Sequence, residues 1–454
     1  MSQPTKQCKL SGWGHYPVAE CLAFRPERQR DIAAILYSSK TTLLARGQGR
    51  AYADAALNPD GVVLSERLNR FLEFDEKTGI LLVQAGVTLA EIVDFGVPKG
   101  WMVPVLPGTR YVSIGGAMAC NIHGKNHVQQ GDIANHIKFI RIRLADGKQV
   151  ECSPRKESKL FWATAGGMGM TGVIEEVSLK LKKIDSLSLK AETRKVSNIE
   201  QMVEAFEESR DSHEYRIGWI DHFAKGQSLG RGVFEKANHI SAKQGGAKLS
   251  DYTPAKPAIT VPPFVPSFIL NRYSMALYNK IRFNRYTDNW KSETLNFDGF
   301  FHPLDGIKSW HRLYGKRGFF QYQLVIPQSD DVAKNLHELL EFIQTSGQFS
   351  FLAVLKQHGA HKGVMSFPIE GYSLALDFPN TPEVQKLQAE LNQRVLALGG
   401  RVYLAKDALL SAELFENMYA DALPKWRKLL AEIDPEKRFD SLMAKRLNFR
   451  GDES

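Results

Sequence analysis

The stretch Pro104–His127 reads PVLPGTRYVSIGGAMACNIHGKNH and limits the fold more than any other part of the chain. Gly108, Gly115, Gly116 and Gly124 stand in it among small residues, too small to build an ordinary core. Glycine permits φ > 0 and a close backbone approach. The stretch is then either a structural turn or a backbone wrapped around an anion, since amides freed in such turns and helix N-termini both attract negative charge. Two further clusters favour the ligand. Arg46-Gly-Gln-Gly-Arg50-Ala-Tyr52 follows the apolar run Thr41–Ala45, and Gly166-Gly-Met-Gly-Met-Thr-Gly172 precedes the alternating run Val173–Leu181. The first is not the dinucleotide GxGxxG fingerprint, because no third glycine opens a helix and no βαβ unit follows.

Around these turns the periodicity predicts short elements. Helices are expected over Asp31–Ser38 and over Thr88–Phe95 with Thr88 as cap, and a buried helix or tight turn over Ile114–Ile122. Strands are expected at Gly61–Leu64, at the hairpin Phe71–Phe74 and Ile80–Ala85, and at the hairpin Ile137–Leu144 and Gln149–Cys152. The pattern changes near residue 190. Strands at Tyr215–Phe223, Phe319–Ile326, Ser350–Leu355 and Tyr372–Asp377 alternate there with amphipathic helices at Ile199–Ser209, Asp331–Ser346 and Pro382–Leu398. This predicts an antiparallel sheet covered on one face. Thr253–Phe268 is proline-rich and expected to be irregular; with the apolar residues up to Leu277 it reads as a lid or lipid-facing flap. A strand near Arg401, a helix from Ser411 and a helical Trp426–Leu447 interrupted at Asp434-Pro435 close the chain.

With 454 residues, 43% hydrophobic and 24% charged, the chain is long enough for two or three domains. Its formal charge of +9 is scattered, with no basic run or nucleic-acid module, so nucleic-acid binding is not expected. The four cysteines have no metal-ligand spacing and weakly suggest a reducing compartment. The polar N-terminus lacks a secretory h-region, and no apolar run is long enough to span a bilayer. A cytoplasmic protein able to associate peripherally with the inner membrane is expected.

The motifs ARGQGRAYAD, VPVLPGTRYVSIGGAMACNIHGKNH and LFWATAGGMGMTGVI resemble the vanillyl-alcohol-oxidase-like flavoproteins. FFHPLD, FFQYQLVIP, SFPIEGY, LDFP and YLAKD tie the chain to the decaprenylphosphoryl-ribose 2′-oxidase branch, and the likeness runs from Gly12 to about Leu447. It implies an α+β fold: a two-part FAD-binding domain of the PCMH type with an inserted antiparallel-sheet-plus-helices substrate domain. The expected boundaries are residues 1–187, an inserted 188–400 with a flap around 250–290, and a returning 401–454. The resemblance places the FAD pyrophosphate against Arg46, Gly47, Gln48, Gly49, Arg50, Ala51 and Tyr52, and against Gly108, Thr109, Ser113, Gly115, Gly116 and Ala117. Cys120, Asn121, His123, Gly124 and Asn126 would line the isoalloxazine and ribityl chain. Gly169, Gly172 and Ile174 would cover the adenine end or flank the flavin, and Tyr403 would touch the cofactor. Arg50 stands where many relatives carry a histidine bonded to the flavin, and Gln129–Asn135 holds no cysteine, so FAD is expected to be non-covalent.

Oxidising a secondary alcohol needs a hydride acceptor and a proton acceptor. Lys406 is the leading candidate for the positive charge near substrate and flavin, and for the base if burial lowers its pKa. The bland alternative is a surface lysine paired with Asp407. His123 and Tyr52 complete the expected catalytic set. Lys125 would bind a phosphodiester as a point charge, while Gln321 and Gln323, two residues apart on a strand, share a face. Phe301, Ser373 and Ala375 replace the tyrosine, asparagine and cysteine of the branch best known. They change pocket polarity, and Ala375 removes the thiol that covalent inhibitors use. The implied reaction is oxidation of the 2′-hydroxyl of a polyprenyl-phosphoryl-β-D-ribose by hydride transfer to flavin N5, with a separate NAD(P)H-dependent keto-reductase completing the epimerisation. No metal is implied. The alternatives are a soluble sugar-lactone or alditol oxidase of the same fold, and a non-catalytic binding protein.

Overall fold

Short strands build three larger sheets among the described residues, and these sheets meet around the glycine-rich turns. The computed structural model describes residues 5–254, 256–263, 265 and 270–451. The first sheet contains β1 (Thr5–Ser11), β2 (Val18–Phe24), β3 (Leu44–Arg46) and β4 (Val62–Leu64) in the order β1-β2-β4-β3. The outer pair is antiparallel and the inner contacts are parallel. β1 and β2 carry no strand signal in the sequence because β1 is an edge whose residues are mostly exposed. The second sheet joins β5 (Phe71–Asp75), β6 (Ile80–Gln84), β7 (Ile137–Arg143), β8 (Gln149–Cys152) and β9 (Val173–Lys180) in the antiparallel order β5-β6-β9-β7-β8.

Against that sheet sits α1 (Ile114–Ala119), the short core of the opening stretch. Ser113 caps it by accepting from the Gly116 amide at 3.3 Å. The amides of Ile114 and Gly115 donate to Val87 and Ala85 at 2.8 and 2.9 Å, which fixes the helix on the end of β6. The expected helix to Ile122 stops three residues early because Asn121 turns into the left-handed region at φ 42°.

The third sheet is antiparallel throughout. Its strands are β10 (Ser188–Val196), β11 (Tyr215–Ile220), β12 (Gly232–His239), β13 (Lys291–Asn296), β14 (Phe319–Pro327), β15 (Ala353–His358), β16 (Gly371–Pro379) and β17 (Arg401–Val402). They lie in the order β13-β10-β12-β11-β15-β16-β14-β17. Helices α2 (Ile199–Glu208), α4 (Val332–Thr345) and α5 (Pro382–Ala397) cover one face, while α3 (Arg272–Asn284) stands apart from them. Met202, Phe206, Leu336, Leu339, Leu387 and Leu391 share a core with Phe320, Leu324, Leu374 and Leu376. The Tyr322 hydroxyl, from the same side of β14, donates to Asn392 Oδ1 at 2.8 Å. The pleat therefore turns Gln321, Gln323, Ser373, Ala375 and Asp377 to the opposite face.

Several sequence expectations differ. β10, β12 and β13 were not anticipated, since their charged residues interrupt the apolar alternation. β15 begins at Ala353 because Ser350 turns the chain, accepting from the Asp377 amide at 2.9 Å. The proline-rich stretch contributes the short strand Ile259–Thr260, parallel to Ile307–Lys308; both residues keep their N–H between prolines. Ala255, Phe264 and residues 266–269 of the expected flap lie outside the described residues. The terminal helical reading resolves into Leu423–Ile433 and Leu442–Arg446.

The C-terminal segment closes on the first sheet. Leu43 donates to Arg438 and accepts from Asp440, and Leu442 donates to Leu57. Arg446 grips Asp54 with two hydrogen bonds of 2.8 and 2.9 Å. Among the described residues no helix is long and apolar enough to cross a membrane.

Candidate active site

Three backbone loops and one sheet face converge. On the loop side, Leu44–Arg46 runs into a turn whose residues 46–52 all remain half-buried, so none is lost to the core. Gly49 adopts φ 62°, and a Cβ there would meet the Arg46 guanidinium. At Gly47 a Cβ would strike Ser113 Oγ, so this glycine lets the turn touch the cap of α1. The Arg46 guanidinium is held by the Ser11 and Ala56 carbonyls at 2.7 and 3.0 Å. These two bonds clamp the turn. Among the described residues, the amides of Gln48, Gly49, Arg50 and Ala51 have no protein acceptor. A side chain added at Gly108 would enter open space. The Arg110 amide donates to Asp305 Oδ2 at 2.9 Å, and its guanidinium to Asp94 and Asp298. Gly169 and Gly172 turn at φ 82° and 141° ahead of β9, where Ile174 is buried.

Arg50 lies over the Trp13 ring at 4.1 Å, with a buried Nε that has no partner among the described residues. Burial lowers its pKa, yet an arginine stays charged. His123 is buried, and Gln323 Nε2 approaches its Nε2 at 2.9 Å. With Gln323 as donor the ring proton lies on Nδ1, which has no partner among the described residues, as has Gln323 Oε1. Burial, reinforced by His358, Lys356 and Lys406, pushes His123 well below the usual imidazole range. The ring is therefore neutral, a hydrogen-bonding group more than a proton acceptor. Tyr403 packs on it at 5.1 Å and donates to the Cys120 carbonyl at 2.9 Å. Acceptor-free amides, an open position at Gly108 and orphaned buried polar atoms on Arg50, His123 and Gln323 are groups a flavin dinucleotide can satisfy, so the residues fit FAD.

Asn121 and Asn126 take a different part. Asn121 donates to Ser366 Oγ at 2.6 Å and Asn126 to the Pro104 carbonyl at 2.9 Å, so both side chains hold the loop in shape. Lys125 is engaged too: its Nζ donates to the Phe300 carbonyl at 2.7 Å and sits 3.4 Å from Glu235. Phe301 is buried in an aromatic cluster with Tyr215 and Phe297, next to the Phe300 that Lys125 contacts.

The sheet face supplies the side-chain chemistry. Register places Gln321 opposite Asp377, Gln323 opposite Ala375, and Ser373 and Ala375 opposite Lys356 and Val354. Gln321 donates to Asp377 Oδ1 at 2.6 Å, and His358 Nε2 lies 2.7 Å from Ser373 Oγ. Lys406 joins this face through the backbone: the Tyr403 amide donates to Gln323, and the Tyr52 amide to Ala405, both at 2.9 Å. Its Nζ then lies 5.6 Å from the Tyr52 ring. Lys406 is not paired with Asp407, whose carboxylate caps the Leu409 and Leu410 amides and faces Arg446 at 2.9 Å. Lys406 and Lys356 each retain some accessible surface and have no hydrogen-bonded acceptor among the described residues. Burial, with Lys356 adding and Asp377 opposing, lowers Lys406 to about 7; burial and Lys125 lower Lys356 to about 8. Burial raises Asp377 to about 6 and the Tyr52 phenol well above its usual value.

Lys356, Asp377 and His358 carry no role in the sequence reading. Each had a signal: a charged or polar residue inside an otherwise apolar strand, in FLAVLKQH and YSLALDF. Only register reveals that they share a face, where Lys356 and Asp377 act electrostatically on Lys406. Among the described residues no group of three or more metal-ligating side chains exists.

Residues 22–153 match the FAD binding domain family. The chain is 32% identical to decaprenylphosphoryl-beta-D-ribose oxidase of Mycolicibacterium smegmatis over 98% of both chains. It is 30% identical to an uncharacterised protein of Streptomyces coelicolor, covering 80% of this chain and all of that one. Bovine L-gulonolactone oxidase is 23% identical across 48% of this chain and 50% of its own. The full-length match carries the sheet face as well as the loops, whereas the lactone oxidase covers about half. This chain is an FAD-dependent oxidoreductase with a PCMH-type α+β fold, and it belongs to the decaprenylphosphoryl-beta-D-ribose oxidase family.

Proposed function

We propose that this enzyme oxidises the 2′-hydroxyl of a polyprenyl-phosphoryl-β-D-ribose to the 2′-keto sugar, the first half of an epimerisation to an arabinose donor. The observation that carries the reading is Lys406: a lysine with no counter-ion at hydrogen-bond distance among the described residues, beside Tyr52 and on one face with Gln321, Gln323 and Lys356. Bound FAD supplies the two-electron acceptor for the hydride that leaves the carbinol carbon. Lys406 Nζ takes the hydroxyl proton, which its lowered pKa permits near neutrality. The C–O single bond becomes C=O as the C–H electron pair departs.

Tyr52 stays protonated and donates to the sugar. Asp377 holds Gln321 in position and sets the field at Lys406. His123 and Gln323 orient the ring-side hydroxyl, with Ser373 and Ala375 lining the floor. Lys356 meets the phosphodiester, a task shared with Lys125 only if Lys125 leaves Glu235.

In this reading FAD is held by the amides of residues 47–51, the Gly108–Ala117 turn and the Gly169–Ile174 turn, and dissociably, because Arg50 cannot bond to the flavin. Residues 1–187 and 401–454 form its domain, and 188–400 the substrate domain. A separate NAD(P)H-dependent reductase takes the keto sugar, and the protein works in the cytoplasm in peripheral contact with the inner membrane.

Anaerobic flavin bleaching with polyprenyl-phosphoryl pentoses and free sugars tests the function. Bleaching by the lipid-linked ribose alone is expected; rapid bleaching by free sugars with peroxide release in air would move the enzyme to the lactone oxidases. Acid precipitation tests the attachment: the yellow colour should stay in the supernatant, and colour in the pellet refutes dissociable FAD.

A further inference from the structure

Helix α3 exposes what a surface helix normally hides. Its residues Tyr273, Leu277, Tyr278 and Ile281 are 83%, 59%, 52% and 47% exposed. Positions 273, 277 and 281 follow the i, i+4 spacing of one helix face, and 278 lies beside them. Exposed Arg272, Lys280 and Arg285 flank the stripe, and the helix contains no acidic residue. Asn271 caps it by accepting from the Tyr273 and Ser274 amides, so it is a built helix.

The other side of α3 is anchored. Asn279 is buried and donates to Asp221 Oδ1 at 3.0 Å. The Arg282 guanidinium lies 4.5 Å from the Trp219 ring. Trp219 stands opposite Val354 in the sheet, two residues before Lys356 and on the same face. The helix thus roofs one end of the side-chain wall, with its apolar stripe turned away from it.

An aromatic and aliphatic stripe flanked by cations matches the interface of an anionic bilayer in both respects: the apolar side chains enter the headgroup–acyl boundary and the cations meet lipid phosphates. A protein partner would match the stripe but gives no reason for cations and no carboxylate along the helix itself. We propose that α3 docks the enzyme on an anionic bilayer through Tyr273, Leu277, Tyr278 and Ile281, and that docking sets the sheet face of Lys356 and Lys406 at headgroup level. The second half of the proposal rests on the lipid-linked substrate put forward above.

The test is flotation of the FAD-loaded enzyme with vesicles of phosphatidylcholine alone or mixed with phosphatidylglycerol. The wild type should partition at least about tenfold more strongly onto the anionic vesicles, and less so at high salt. Leu277→Asp with Ile281→Asp should lose about tenfold or more, with the flavin spectrum unchanged. Lys280→Glu with Arg285→Glu should lose the preference for anionic lipid, and it decides the matter if the first variant folds poorly. Failure of the wild type to float, equal flotation by a folded variant, or capture of α3 by a protein with no vesicle binding overturns the docking. Bleaching by the lipid-linked ribose in detergent micelles is read in parallel. Bleaching without flotation refutes docking alone, and flotation without bleaching refutes the substrate alone.

Discussion

The two walls of the site are made of different material. One, residues 45–52, 104–127 and 166–172, is main chain: glycines, amides without acceptors, and side chains such as Arg46, Asn121 and Asn126 that shape the loops. The other, the open face of β14, β15 and β16 with Lys406 at its edge, is side chain: two amides, a carboxylate, a histidine and two lysines set by strand register. A backbone wall suits a cofactor that must be held in one pose, because amides do not titrate or rotate. A side-chain wall suits a reaction that must move a proton, because its groups can be tuned by burial and by each other.

Substitutions can separate the walls. The largest effect is expected from Lys406→Met, which removes the proton acceptor: stopped-flow flavin reduction should slow by about 10³-fold while FAD stays bound. Near-normal reduction would remove Lys406 from the chemistry. On the other wall, Gly49→Val forces a β-branched residue to φ 62° at a cost of about 1–3 kcal/mol. Flavin titration should show FAD affinity falling roughly tenfold to a hundredfold; a variant that binds FAD normally would show that the turn is not part of the cradle. Lys356→Gln should raise KM roughly tenfold with kcat little changed, as expected for lost ground-state binding. If kcat falls with KM unmoved, Lys356 acts on the reaction itself. Smallest is Ala375→Cys, which should leave turnover within about twofold but make the enzyme sensitive to thiol-directed inhibitors; continued insensitivity would place residue 375 off the substrate surface.

The same division explains what the sequence revealed. Glycine turns are local, and a motif such as ARGQGRAY or SIGGAMACNIHG announces its backbone shape directly. Even there the sequence did not show how the side chains are held: Arg46, Asn126 and Lys125 bond to the Ser11, Pro104 and Phe300 carbonyls. The side-chain wall was visible only in part. Gln321 and Gln323 declared their shared face by period 2, but Asp377 and Lys356 needed the pairing of three strands to show that they meet Lys406. Edge strands β1 and β13 left no alternation because little of either is buried on a single face.

Asp377 offers the sharpest access to the central claim that Lys406 receives the proton as a neutral amine. Protonated Lys406 cannot accept, so activity is lost as pH falls through its pKa. The Asp377 carboxylate favours the ammonium, and neutralising it must lower that pKa further. The decisive measurement is the pH dependence of anaerobic flavin reduction in the wild type and in Asp377→Asn. The wild-type rate should fall about tenfold per pH unit below about 7, and the acidic limb of Asp377→Asn should move to lower pH. A flat profile, or a limb that does not move in Asp377→Asn, would contradict the account.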